Sequence, residues 1–185
     1  MHVGPKSKIQ TRSLRIRYIV ALSLVALLSI GTYALTLSIM SMHDNDARII
    51  NVAGRQRMLS QQVAKLALLL RQNAFDDAAV EAALREAYKT FGDSHHGLLN
   101  RDEAIGLGGE NSPEVQELFR LIGASFSELT AAVDRVLELA SGATASNGEV
   151  EPLFDRLLSS EETFLPMMNR IVFQYDKEAT GRNAD

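Results

Sequence analysis

Apolar residues follow two different patterns along this chain. Residues 18–40 carry no charged side chain and hold Leu22, Leu24, Val25, Leu27, Leu28, Ile30, Leu35, Leu37 and Ile39. A helix of that length crosses roughly 30 Å of hydrocarbon, so the run predicts a transmembrane helix. Beyond it, apolar residues recur at steps of three and four, the period of amphipathic helices, and no alternating run suggests a strand. The first helix is predicted to run on to about Asn73. A second begins at Asp76 or Asp77, good N-cap residues, and ends before Gly97 or near Asn100. Residues 101–112 form a glycine-rich loop. Ser112 and Pro113 then mark a helix start, with Ser112 as cap and Pro113 at the first helical position. This third helix runs to about Ser141, and residues 142–148 are a small polar loop. The fourth starts near Glu151 and Pro152 and continues towards Thr180, with a kink expected at Pro166.

The third helix has the stripe Val115, Leu118, Phe119, Ile122, Phe126, Leu129, Val133, Val136 and Leu137. The fourth offers Leu153, Phe154, Leu157, Leu158, Phe164, Leu165, Met168, Ile171, Val172 and Tyr175. Amphipathic helices with short connections predict an all-α fold: a transmembrane helix continuing into an antiparallel up-down four-helix bundle. The organisation expected is a basic tail at 1–17, a membrane helix at 18–40 and a bundle at 44–180. The aromatic and methionine positions are read as core.

Charge orients this arrangement. Lys6, Lys8, Arg12, Arg15 and Arg17 precede the apolar run, and no acid occurs before Asp44. That bias predicts a cytoplasmic N-terminal tail and a periplasmic bundle in the inner membrane of a Gram-negative cell. A cleaved signal peptide would have a shorter apolar region, about 7–15 residues, ending at a small-x-small site. This run is longer and leads into 38–42 without such a site. Five of the nineteen basic residues and none of the twenty-three acids lie before Asp44, so the remainder carries a formal charge of −9. An acidic domain is a poor partner for nucleic acid, and none is expected. The chain has no cysteine. Disulfides, thiolate metal sites and cysteine nucleophiles are thereby excluded.

One arginine interrupts the apolar spacing. Counting from Ile50, the residues Ala53, Arg57, Ala64 and Leu68 share a helix face. Val52, Leu59, Val63, Leu66 and Leu70 form another. The first helix therefore reads as packing on two sides: the larger in the bundle core, the smaller against a second copy, where Ala53 and Gly54 allow close approach. A symmetric dimer would bring Arg57 face to face with its mate, and a bound anion would relieve the repulsion. On spacing alone, a structural reading is favoured over this one: Arg57 pairs with an acid of its own bundle or snorkels to water.

The segment Asn51-Val-Ala-Gly-Arg-Gln-Arg-Met-Leu-Ser-Gln-Gln62 closely resembles the N-terminal box of the type IV pili methyl-accepting chemotaxis transducer domain, called PilJ-type. It is also similar to the periplasmic box of nitrate sensor kinases of the NarX type. The resemblance extends from the anchor through the helical domain to the ending 164–175. It implies a periplasmic four-helix sensor bundle that dimerises through its box helices and binds an anion of the nitrate or nitrite class between two arginines at the seam. Carried over residue by residue, Arg57 takes the anion-binding role and Gly54 lines the site, with Ser60 and Gln61 beside them. Arg55 is common in the PilJ-type version, but by helix angle it points away from Arg57 and is a weak accessory. Gln62 replaces an arginine often found there, which makes the local field less positive. The family continues into a second membrane span and an output module, whereas this sequence stops at Asp185, near where that span would start; a fragment, a truncated product and a reduced sensor are the open readings.

An enzyme is not expected. Bundle enzymes with two metals use paired Glu-x-x-His motifs on facing helices, and none occurs. His95 and His96 point about 100° apart on a helix, which disfavours a shared metal. Neither a phosphate loop nor a nucleophile motif is present. No cofactor is expected. The alternative function is a membrane-anchored bundle that binds another protein and no small ligand.

Overall fold

The structure is a computed structural model that describes residues 6–182. Residues 1–5 of the expected basic tail lie outside the described residues. Among those described there are α-helices α1 (Lys6–Gln72), α2 (Ala78–Asn100), α3 (Pro113–Ala140) and α4 (Val150–Arg182), one 3-10 turn (Glu103–Ile105), and no strand. The chain divides into two compact units, Met1–Asp44 and Asn45–Asp185.

In the first unit, Leu14–Leu37 is long and apolar enough to cross a membrane, with a mean hydropathy of 2.1 and none of it buried by protein. Two of its hydroxyls are satisfied within the helix. Thr32 Oγ1 donates to the Leu28 carbonyl at 2.8 Å, and Thr36 Oγ1 to the Thr32 carbonyl at 2.9 Å. Hydroxyls bonded back one turn suit an apolar solvent, where an unmet polar group is costly.

The second unit is the helical bundle. Its caps follow from residue type. Asp77 accepts from the Ala79 and Val80 amides, and Ser112 Oγ accepts from the Val115 amide, with Pro113 at the first position. α2 ends at Arg101 in a left-handed conformation (φ 53°). Gly106 (φ 75°) closes the 3-10 turn, where a glycine takes positive φ without steric cost. α4 runs unbroken through Pro166.

The core holds Leu84, Phe91, Leu98, Phe119, Ile122, Leu129, Val136, Phe154, Leu157, Phe164, Met168 and Ile171, all buried. Its centre is aromatic. The His95 imidazole stacks on Phe126 at 3.7 Å and 9°, with Phe119 and Phe164 edge-on or tilted around it. Burial pushes its pKa down to about 3, and the neighbouring His96 adds to this. His95 is thus a neutral core residue, while His96 is exposed. Among the described residues no cluster of three or more potential ligands could hold a metal ion.

The loop after α2 is tied to Asn45 of α1 and to the C-terminal part of α4. Asn45 Nδ2 donates to the Gly108 carbonyl at 3.0 Å, and Tyr175 Oη donates to Asn111 Oδ1 at 2.7 Å. Asn111 Nδ2 in turn reaches the Leu98 and Leu99 carbonyls, and Ser112 Oγ donates to Glu178 Oε1 at 2.6 Å. Leu107 is fully buried and anchors this loop. Arg135 closes the opposite connection by holding Glu149 through two nitrogens.

Candidate anion-binding face of the first helix

Within the bundle, α1 turns one heptad-spaced seam inward: Ile49, Ala53, Gln56, Ser60, Val63, Ala67 and Leu70, none more than 3% exposed. Two members are polar, and each finds a partner on a different helix. Gln56 Nε2 donates to the Phe91 carbonyl of α2 at 3.0 Å, while its Oε1 has no hydrogen-bond partner among the described residues. Ser60 Oγ lies 2.9 Å from the Arg57 carbonyl and 3.2 Å from Glu161 Oε1 of α4. Further along the same edge, Arg71 pairs with Glu151 and lies over the Phe154 ring at 5.1 Å. α2 therefore covers one flank of the seam and α4 the other.

This placement corrects one reading of the helix faces. Ala53 and Ala64, assigned by spacing to the side left for a second copy, are buried within their own bundle, at 0% and 6% exposure. α4 occupies that side. The arc actually left to solvent contains Asn51, Arg55, Arg57, Met58, Gln61, Gln62 and Lys65, with Gly54 half-buried among them. Met58 exposes 55% of its surface. A Cβ built at Gly54 would meet nothing within 4 Å, so packing inside the bundle does not require glycine there.

Arg57 is exposed at the α4 edge of this arc, not buried as its apolar spacing suggested. Among the described residues its guanidinium makes no ion pair or hydrogen bond. Four other arginines contrast with it: Arg71, Arg85, Arg120 and Arg135 each close on a carboxylate. Gly54 and Gln61 share the arc with Arg57. Arg55 lies about 160° around the helix from it, at the far edge. Ser60 points inward to α4. The structure thus groups Arg57, Gly54 and Gln61, and sets Arg55 and Ser60 apart from them.

The charged residues of α1 along this stretch are all basic. Between residues 47 and 75 there are five basic residues, Arg48, Arg55, Arg57, Lys65 and Arg71, and no acid. This gap in the acids is visible in the sequence as a run of charge rather than as a helical period. Elsewhere, an open groove of about 720 Å³ between α2 and α3 is lined by Arg85, Tyr88, Asp134 and Glu138 among others. Its arginine is already held by Glu81 and Ser141, so it presents no free cation.

The family description "Type IV pili methyl-accepting chemotaxis transducer N-term" (PilJ) matches residues 38–151, which is more than half of the chain. The chain belongs to the PilJ family. The match covers the box, α2, α3 and the start of α4. No curated protein and no solved structure matches the chain. PilJ membership makes the helical unit a sensor region of the chemotaxis-transducer type, and this is a transducer family rather than an enzyme family. With the apolar helix Leu14–Leu37, the PilJ domain fits a membrane-anchored protein.

Proposed function

We propose that this PilJ domain is the periplasmic part of a membrane-anchored receptor, and that it binds a small anion of the nitrate or nitrite class at a homodimer seam formed by α1. Arg57 supplies the charge. Gly54 and Gln61 line the approach, Arg55 adds to the field from the far edge, and Ser60 fixes the Arg57 turn from behind. The observation that carries this reading is the exposed, unpaired Arg57 guanidinium on an arc that lacks acids. Gly54 supports it, because its lack of a side chain serves no contact inside the bundle but would let a second helix approach. The basic flank of the apolar helix supports the periplasmic placement.

The mechanism is a population shift between two packings of the dimer. Two facing Arg57 side chains repel, an anion between them removes the repulsion, and one helix offset becomes favoured. The box and the apolar segment belong to one helix, α1. A shift of about 1–2 Å at the box, typical of helix slides at interfaces, would pass along it. The test is thermal unfolding of the full chain in detergent with nitrate, nitrite and, as ionic control, chloride. Saturable stabilisation by nitrate that is lost in Arg57→Ala supports the reading. A response that survives Arg57→Ala, or no response from a confirmed dimer, contradicts it and favours the protein-binding bundle.

A further inference from the structure

We propose that Glu161 of α4 sets the charge selectivity of this site, favouring monovalent over divalent anions; the inference rests on the anion reading of Arg57. The Ser60 hydroxyl is buried, and it has one proton for two acceptors, the Arg57 carbonyl at 2.9 Å and Glu161 Oε1 at 3.2 Å. It holds the Glu161 carboxylate against the same turn of α1 that carries Arg57, three residues earlier on the adjoining face. Glu161 is half-buried, and among the described residues no cation pairs with it. Further along the same α1–α4 edge, Arg71 and Glu151 do close into an ion pair. At the Arg57 level the arginine and the glutamate stay apart. Arg57 remains available to an anion, and an uncompensated carboxylate stands beside the path that anion takes.

Coulomb repulsion scales with the charge of the ligand, so a dianion feels twice the penalty that a monoanion feels. Doubling an energy squares the corresponding factor in affinity. The neutral side chain in Glu161→Gln can still accept the Ser60 hydrogen bond, so the α1–α4 contact is kept while the charge is removed.

The test is calorimetric titration of the full chain in lipid nanodiscs with nitrate and, separately, sulfate. Wild type is compared with Glu161→Gln, Glu161→Asp and Arg57→Ala, each checked by circular dichroism melting. Glu161→Gln is expected to tighten nitrate by about threefold and sulfate by about tenfold, the square of the first factor. Glu161→Asp keeps the charge and the wild-type ratio. Should Glu161→Gln fail to fold, Ser60→Ala frees the carboxylate from α1 and is expected to move the ratio in the same direction. Equal factors for the two anions, or no change, with nitrate lost in Arg57→Ala would overturn the role of Glu161 and leave the site standing. Wild-type nitrate binding in Arg57→Ala would overturn the site and this inference together.

Discussion

Arg57 shows why a residue in an apolar register need not be buried. Ile50, Ala53, Ala64 and Leu68 surround it in spacing, yet the helix places it at a boundary: Ala53 and Ala64 turn inward and Arg57 stays in solvent. Counting three and four residues finds a face but not its edge, and the edge depends on where α4 packs. Because Arg57 holds nothing inside the bundle, Arg57→Ala is expected to change unfolding stability by no more than about 0.5 kcal/mol, the usual range for surface sites. A thermal melt without added anion checks this; a large loss would mean that the arginine is structural. Gln56 is the residue that pattern reading missed. It sits at the centre of the seam, but as an amide it drops out of any search for apolar positions, and only its bond to the Phe91 carbonyl explains the burial. His95 gives a prediction with a sign. Its folded pKa is about 3 against an ordinary 6.5, so below pH 6.5 the unfolded chain takes up a proton that the folded chain refuses. The folded state therefore loses stability as pH falls from 6.5 towards 3, and above 6.5 the group contributes nothing. His95→Phe is expected to flatten the stability curve between pH 6.5 and 4.5, above the range where glutamates titrate. Urea unfolding at several pH values reads this slope.

At the scale of elements, the helices and their starts were legible because the signals are local. Asp77 and Ser112 cap where their residue types predict, Pro113 stands at the first position of α3, and the charge-free run at 18–40 overlaps the apolar helix Leu14–Leu37. The 3-10 turn Glu103–Ile105 and the buried Leu107 were not legible, since they depend on contacts with Arg48 of α1 and Gly97 of α2 that no spacing rule encodes. Gly54 belongs to this scale. Alanine is the better helix former by about 1 kcal/mol, and nothing in the bundle opposes its methyl group. Gly54→Ala is therefore expected to stabilise the bundle by up to about that amount while weakening the proposed anion response, because the proposed dimer seam would lose its close approach. Parallel melts with and without nitrate separate the two effects. By contrast, Phe164→Ala removes a fully buried ring that packs edge-on against Phe91 at 5.3 Å, and is expected to cost about 3–5 kcal/mol.

At the scale of the whole molecule, one α1 arc is left with an exposed methionine, a glycine without a local role and an unpaired arginine. Sequence spacing gave α1 two packing sides, yet Ala53 and Ala64 of the smaller one are buried in their own bundle, so the proposed seam falls on the arc that the other three helices leave uncovered. The absence of cysteine makes the proposed α1 dimer easy to probe. Met58→Cys is expected to crosslink to its counterpart under mild oxidation, since a disulfide needs Cβ atoms about 3.5–4.5 Å apart, while Leu121→Cys on α3 is expected not to. The central claim is one anion shared by two arginines, and calorimetric titration of the full chain in nanodiscs with nitrate tests it most directly through stoichiometry. The account predicts saturable heat with one nitrate per two chains. One nitrate per chain, or no heat from chains shown to be dimeric, would contradict it.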